Sequence, residues 1–112
     1  MVKEYIPNQG DIIYVDFNPT KGHEQKGKRP GIVVSKKLFN QKTNLVLICP
    51  ITTNIKDFPT HYELKETKKI YGSVLCEHVR SIDFKSRNVK FVETASELDL
   101  LSVIMLLSAC IE

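Results

Sequence analysis

The chain has 112 residues, 42% hydrophobic and 26% charged, with a formal net charge of +3. This is the length of one domain (1–112) and the composition of an ordinary folded one, with enough chain to bury a core without staples. No apolar run approaches the roughly 20 residues of a membrane span, and the opening Met-Val-Lys-Glu-Tyr lacks the apolar stretch of a secretory signal. A membrane protein, a collagen, a disulfide scaffold and a multidomain enzyme are excluded, and a cytoplasmic protein is expected.

The small net charge conceals an uneven distribution. Residues 21–42 carry seven Lys or Arg against one Glu, whereas residues 91–112 carry four acids and no base. A concentrated basic segment suits a polyanion, because neutralised phosphates release counterions. Solvated lysines on ordinary loops are the competing explanation. The three cysteines, Cys49, Cys76 and Cys110, form no C-x-x-C pair and each has apolar neighbours. They are expected to be buried thiols in a reducing compartment.

Residues 10–17 alternate as a strand, with Ile13, Val15 and Phe17 on one face and Ile12 and Tyr14 on the other. Asn18 to Lys28 contain Pro, two Gly and four charged residues with no aliphatic side chain, which predicts a long and functional loop. Ile32 to Ser35 predict a strand entered through Pro30. Asn40 to Asn44 read as a polar turn. Leu45 to Thr53 form the most apolar strand, with Pro50 marking a bulge or an exit from the sheet. Thr60–Leu64, Gly72–Cys76, Val79–Phe84 and Asn88–Val92 predict shorter strands, separated by a loop at 54–59 and a charged turn at 66–71. Many short strands joined by turns predict a small barrel or sandwich.

The last segment changes period. Thr94-Ala-Ser-Glu97 fits a capping box, in which hydroxyl and carboxylate satisfy the first free amides of a helix. Residues 98–111 are apolar except for Asp99, Ser102 and Ser108. A helix so apolar needs cover on most sides, and one small barrel covers only one. A second copy of the chain is the simplest additional cover.

Few residues offer chemistry. His23, His61 and His78 each lack a second histidine at ligand spacing, so no metal site and no cofactor are expected. No Gly-rich phosphate loop precedes a helix, and no G-x-S-x-G is present. What remains is the loop from His23 to Pro30. Pro30 biases Arg29 toward extended backbone, and a fixed guanidinium grips a phosphate through two parallel hydrogen bonds. Glu24 is placed to take a hydroxyl proton, and Thr52 and Thr53 offer hydroxyl donors. Such a set suits metal-free RNA cleavage, in which a base removes the 2′-hydroxyl proton and cationic donors stabilise the charge that develops on the phosphate. An ordinary Arg–Glu surface ion pair uses the same two residues.

These residues carry a resemblance. The pattern G-D-x-x-x-V-D-F-x-P-T-x-G-x-E-x-x-x-x-R-P, from Gly10 to Pro30, resembles the MazF/PemK family of bacterial toxins. So do Tyr5–Gln9, Gly31–Ser35, Asn40, Lys42-Thr43 and Cys49–Thr53, with weaker similarity to about residue 82. The resemblance implies a mainly β fold with a C-terminal helix, an SH3-like small β-barrel. It implies sequence-specific, metal-independent cleavage of single-stranded RNA, chiefly mRNA, to 2′,3′-cyclic phosphate and 5′-hydroxyl ends. On this basis Arg29, Thr52 and Glu24 are the expected catalytic residues, with Lys21, His23, Lys26, Lys28 and Thr53 expected to bind RNA. The implied partners are a cognate antitoxin and a second copy of the chain. Gyrase-poisoning toxins use the same barrel, so the fold alone leaves a gyrase poison or a non-catalytic nucleic-acid-binding module as alternatives. This chain departs from the family at Glu77-His78, where many members have Asp-Gln. His78 is expected to be packed, His23 solvated and His61 on a strand surface.

Overall fold

In the computed structural model, residues 4–17, 28–54 and 57–112 are described. The elements run β1 (Asp11–Asp16), β2 (Lys28–Val33), α1 (Lys37–Thr43), β3 (Leu45–Thr52), β4 (His61–Glu63), β5 (Ser73–Leu75), a 3-10 turn (Cys76–His78), β6 (Arg80–Asp83), β7 (Lys90–Thr94) and α2 (Glu97–Ile111). All strand pairs are antiparallel. The sheet order is β4-β5-β3-β2-β1-β7, with β6 pairing β3 beside β5. The fold is therefore mainly β with a C-terminal helix. Among the described residues the ladders do not close into a ring, and β4 and β7 are its two ends.

The alternation in β1 determines which side chains go to which core. Ile13, Val15 and Phe17 join Val33, Val46, Ile48, Ile82 and Phe84 in one buried cluster. Ile12 lies with Ile32, Cys49, Ile51 and Val74 on the other face, where Val103 and Leu107 of α2 cover them. Both sheet faces are buried over their central strands, so alternate residues in β1 are apolar on both sides.

β3 serves two neighbours on one edge. Leu45–Ile48 pair with β6, and Ile51–Thr52 pair with β5. Pro50, which has no N–H to offer, sits between these two ladders; it is neither the bulge nor the exit from the sheet that the sequence suggested, because β3 continues through it and pairs it with Gly31 on β2.

Several expectations need correction. Residues 37–43 form a helical turn rather than a polar turn at 40–44. Asn40 is fully buried there, bonded to Ser35 and to the Pro7 carbonyl, and Asn44 ends the helix in the left-handed region. β2 begins at Lys28, so Pro30 lies inside the strand opposite Tyr14 rather than at its start. The α2 cap is Ser96, whose hydroxyl accepts from the Asp99 amide, not Thr94. Cys49 and Cys76 are buried, but Cys110 is exposed on the last turn of α2.

Candidate functional site

The β2–β3 register pairs Gly31 with Pro50, Ile32 with Cys49 and Val33 with Ile48. Continued past the last formed pair, it sets Arg29 opposite Thr52 after two steps and Lys28 opposite Thr53 after three. Directly opposed residues of an antiparallel pair point to the same face. Arg29 also opposes Val15 on β1, and Thr52 opposes Ser73 on β5, which in turn opposes Glu63 on β4. One row of same-facing residues thus crosses the sheet through Glu63, Ser73, Thr52, Arg29 and Val15.

Two glycines make this row possible. A Cβ on Gly31 would lie 2.8 Å from the Ile48 side chain and 3.1 Å from the Cys49 carbonyl oxygen. At Gly72, where φ is +139°, a Cβ would lie 2.3 Å from the Thr52 carbonyl oxygen, a backbone clash that no rotamer relieves. The chain entering β5 is therefore pressed directly against Thr52.

Arg29 and Lys28 are exposed, and Thr52 is partly buried. The Thr52 hydroxyl accepts the Asn54 amide at 3.1 Å, which leaves its proton free to donate outward. Among the described residues, no carboxylate pairs with Arg29. Lys21, His23, Glu24 and Lys26 lie outside the described residues.

The end of β1 is held by two arginines with no expected role. Arg87 Nη1 donates to the carbonyls of Asp16 and Phe17, at 3.1 and 2.9 Å. The Arg80 guanidinium carbon lies 5.6 Å from the Phe17 ring centroid. No local pattern flags them, because their partners are some seventy residues away in the chain or across the sheet.

Glu77 anchors a second cluster. Its carboxylate accepts from the Thr60 hydroxyl at 2.6 Å and meets His61 Nε2 at 2.7 Å, while His78 Nε2 is 3.8 Å away. Partial burial pushes the Glu77 carboxyl up, but Thr60 and His61 outweigh it and hold it below its ordinary value. The His61 side chain is only 13% exposed, so it is no strand-surface residue, and the His78 side chain is 63% exposed rather than packed. A cavity of about 460 Å³ beside His61, between β4 and α2, is lined by Pro59, Tyr62, Ser102, Met105, Leu106 and Ala109. It shares no residue with the Arg29–Thr52 row. Hydrogen bonding to Cys76 and burial push the Cys49 thiol up, so Cys49 is a core residue rather than a nucleophile. Among the described residues no three His, Cys, Asp or Glu side chains gather at metal-binding distance, and no helix is long and apolar enough to cross a membrane.

Residues 8–110 match the family described as PemK-like, MazF-like toxins of type II toxin–antitoxin systems. The chain belongs to this family. It is 42% identical over 87 residues to the endoribonuclease toxin MazF of Escherichia coli K12, covering 78% of each chain. Its fold matches the crystal structure of MazF from Deinococcus radiodurans with a TM-score of 0.85 at 33% identity, covering 96% of this chain and 98% of the other. It also matches a MazE–MazF crystal structure from the same organism with a TM-score of 0.86 at 31% identity, covering 96% and 97%.

Proposed function

We propose that this chain is an endoribonuclease toxin that cuts single-stranded RNA, chiefly mRNA, without a metal at the Arg29–Thr52 row. The observation that carries the reading is the β2–β3 register, whose extension past Gly31–Pro50 brings an exposed arginine level with a threonine whose hydroxyl accepts only the Asn54 amide among the described residues. Arg29 grips two non-bridging oxygens of the scissile phosphate, and the Thr52 hydroxyl donates to one of them. Glu24, between β1 and β2 in the chain, takes the proton of the 2′-hydroxyl. The 2′-oxygen attacks phosphorus, the bond to the 5′-oxygen breaks, and that oxygen takes a proton from water, so the products carry a 2′,3′-cyclic phosphate and a 5′-hydroxyl. Lys21, His23, Lys26, Lys28 and Thr53 bind the strand. Names of the relatives as endoribonucleases support this reading.

Incubating the pure protein with a long unstructured RNA in EDTA tests it. Cleavage is expected, and Arg29→Ala is expected to slow it by roughly 10²–10³-fold, the usual loss for one charge-stabilising donor. Intact RNA with wild-type protein overturns the reading, and trapped gyrase–DNA complexes in that case point to a gyrase poison. Wild-type rates for Arg29→Ala overturn the site.

The working unit is a cytoplasmic homodimer, inhibited by a cognate antitoxin. Leu98, Leu101 and Met105 follow one another at helical spacing on α2 and are 54%, 52% and 72% exposed. Only Asp99, Val103 and Leu107 of that helix are buried. An apolar stripe of this kind is expensive to leave in water, and a second α2 across a two-fold axis covers it. Sedimentation as a monomer at micromolar concentration overturns this part. MazE–MazF complexes among the structural relatives support an antitoxin partner.

A further inference from the structure

We propose that Tyr71 forms a stacking subsite for one unpaired base of the RNA, beside the phosphate held by Arg29 and Thr52; the inference rests on the ribonuclease reading. Tyr71 is 62% exposed, a large ring presented to solvent. Its neighbour Gly72 lies against the Thr52 carbonyl, and Ser73 of the row follows, so the ring is rooted two residues from the row that would hold the scissile phosphate.

The loop that carries Tyr71 is irregular but tightly held. The Leu64 amide donates to the Gly72 carbonyl at 2.9 Å and ties its two ends together. Leu64 and Ile70 are buried in the core. The Glu93 carboxylate accepts three consecutive amides, from Lys68, Lys69 and Ile70, at 3.0, 2.9 and 2.8 Å. Asp99, buried at the start of α2, accepts the Lys65 and Glu66 amides and the Tyr62 hydroxyl. The ring itself is fixed at its far end, where the Tyr71 hydroxyl donates to the Lys68 carbonyl at 3.1 Å. A compact surface loop with its ends joined is a common seat of function.

These features match what base stacking needs. An aromatic face held in place loses little entropy when a base lies on it. The exposed Lys68 and Lys69 supply positive charge for the phosphates that flank the base. Every base offers a π-face, so the subsite adds affinity broadly and favours the bases that stack best. An acidic peptide would use the lysines but has no use for a preset open ring.

The test first maps the cut sequence of the wild-type protein on a long RNA. An oligoribonucleotide of that sequence, made uncleavable by a 2′-deoxy sugar at the cut, then serves as the binding probe. Tyr71→Ala is expected to weaken binding by roughly 5- to 150-fold, the range seen when a stacking aromatic is removed. Tyr71→Phe is expected to restore most of that affinity, because it keeps the ring and loses only the bond to Lys68. Tyr71→Ala should also relax base preference at one position flanking the cut, a readout that a merely structural role does not move. Unchanged affinity and cut pattern for Tyr71→Ala, with wild type cutting normally, overturn the inference and leave the ribonuclease reading standing. An effect of Tyr71→Ala on an acidic antitoxin peptide but not on the RNA probe overturns it equally. Failure of the wild type to cut any RNA overturns both.

Discussion

The two ends of β3 face the same side of the sheet and do opposite work. At Leu45–Ile48, Val46 and Ile48 are fully buried, β6 pairs alongside, and Ile82 and Phe84 close the core. At Ile51–Thr52, the strand has passed Pro50 onto β5, and the same-facing position is Thr52, paired with Ser73 and level with Arg29 when the β2 register is extended. Thr52 lies four positions beyond Ile48, so both point the same way from one continuous strand. The apolar end anchors the row that the polar end exposes. A site built on a strand with one end locked in the core holds its geometry better than one built on a loop. Stability and activity should therefore be separable along a single strand.

Arg29→Ala is the sharpest way to test that separation. Beyond the loss of roughly 10²–10³-fold in cleavage rate, the thermal midpoint should stay near the wild-type value, because the side chain is exposed and has no partner among the described residues. A large loss of stability in this variant would show that the polar end is structural after all. Ile48→Ala should behave in the opposite way. Its side chain is fully buried and lies within van der Waals reach of Gly31, so truncation leaves a cavity at the crossing of β2 and β3. Denaturant unfolding should report a loss of about 2–5 kcal/mol. Cleavage below the unfolding transition should persist at a similar order of magnitude. A stable but inactive Ile48→Ala protein would break the comparison.

Much of this was readable in the sequence, and what was missed shares a cause. The period of two in Ile12–Phe17, the apolar run of β3 and the change of period before α2 report directly on burial. The segregation of Ile13, Val15 and Phe17 from Ile12 and Tyr14 appears in the two cores as expected. α1 was missed because its buried residue is Asn40, whose side chain is satisfied by Ser35 and Pro7 rather than by a hydrophobic stripe. The capping residue was misplaced because Thr94 and Ser96 are both plausible caps, and Thr94 is used as the last residue of β7. The residues of the site could be nominated from the motif, but their alignment depends on the register between strands some twenty residues apart, which no local pattern encodes. The Tyr71 loop was harder still. Its rigidity comes from Glu93 and Asp99, which in the sequence look like part of an acidic tail.

That acidic tail also yields the smallest effect, and it bears on the polar end alone. Partial burial pushes the Glu93 carboxyl up, but the amides of Lys68, Ile70 and Lys69 and the Lys69 charge together hold it below its ordinary value. A carboxylate with a depressed folded value contributes stability above its unfolded value, near pH 4.3, and that contribution disappears as pH falls through the lower folded value. Wild-type stability should therefore drop below about pH 4, with Glu77, also held low, falling in the same window. Glu93→Gln should cost about 1 kcal/mol at neutral pH, the modest end of the range because these hydrogen bonds face solvent. The gap between variant and wild type should then narrow toward acid, since the wild type loses there what the variant never had. Protection of the Lys68, Lys69 and Ile70 amides against hydrogen exchange should fall in step, while the Val46 and Ile48 amides stay protected. A gap that is constant from pH 7 to pH 3 would mean that the Glu93 charge does not hold the loop, and that the rigidity of the Tyr71 platform comes from Leu64 and Ile70 packing instead.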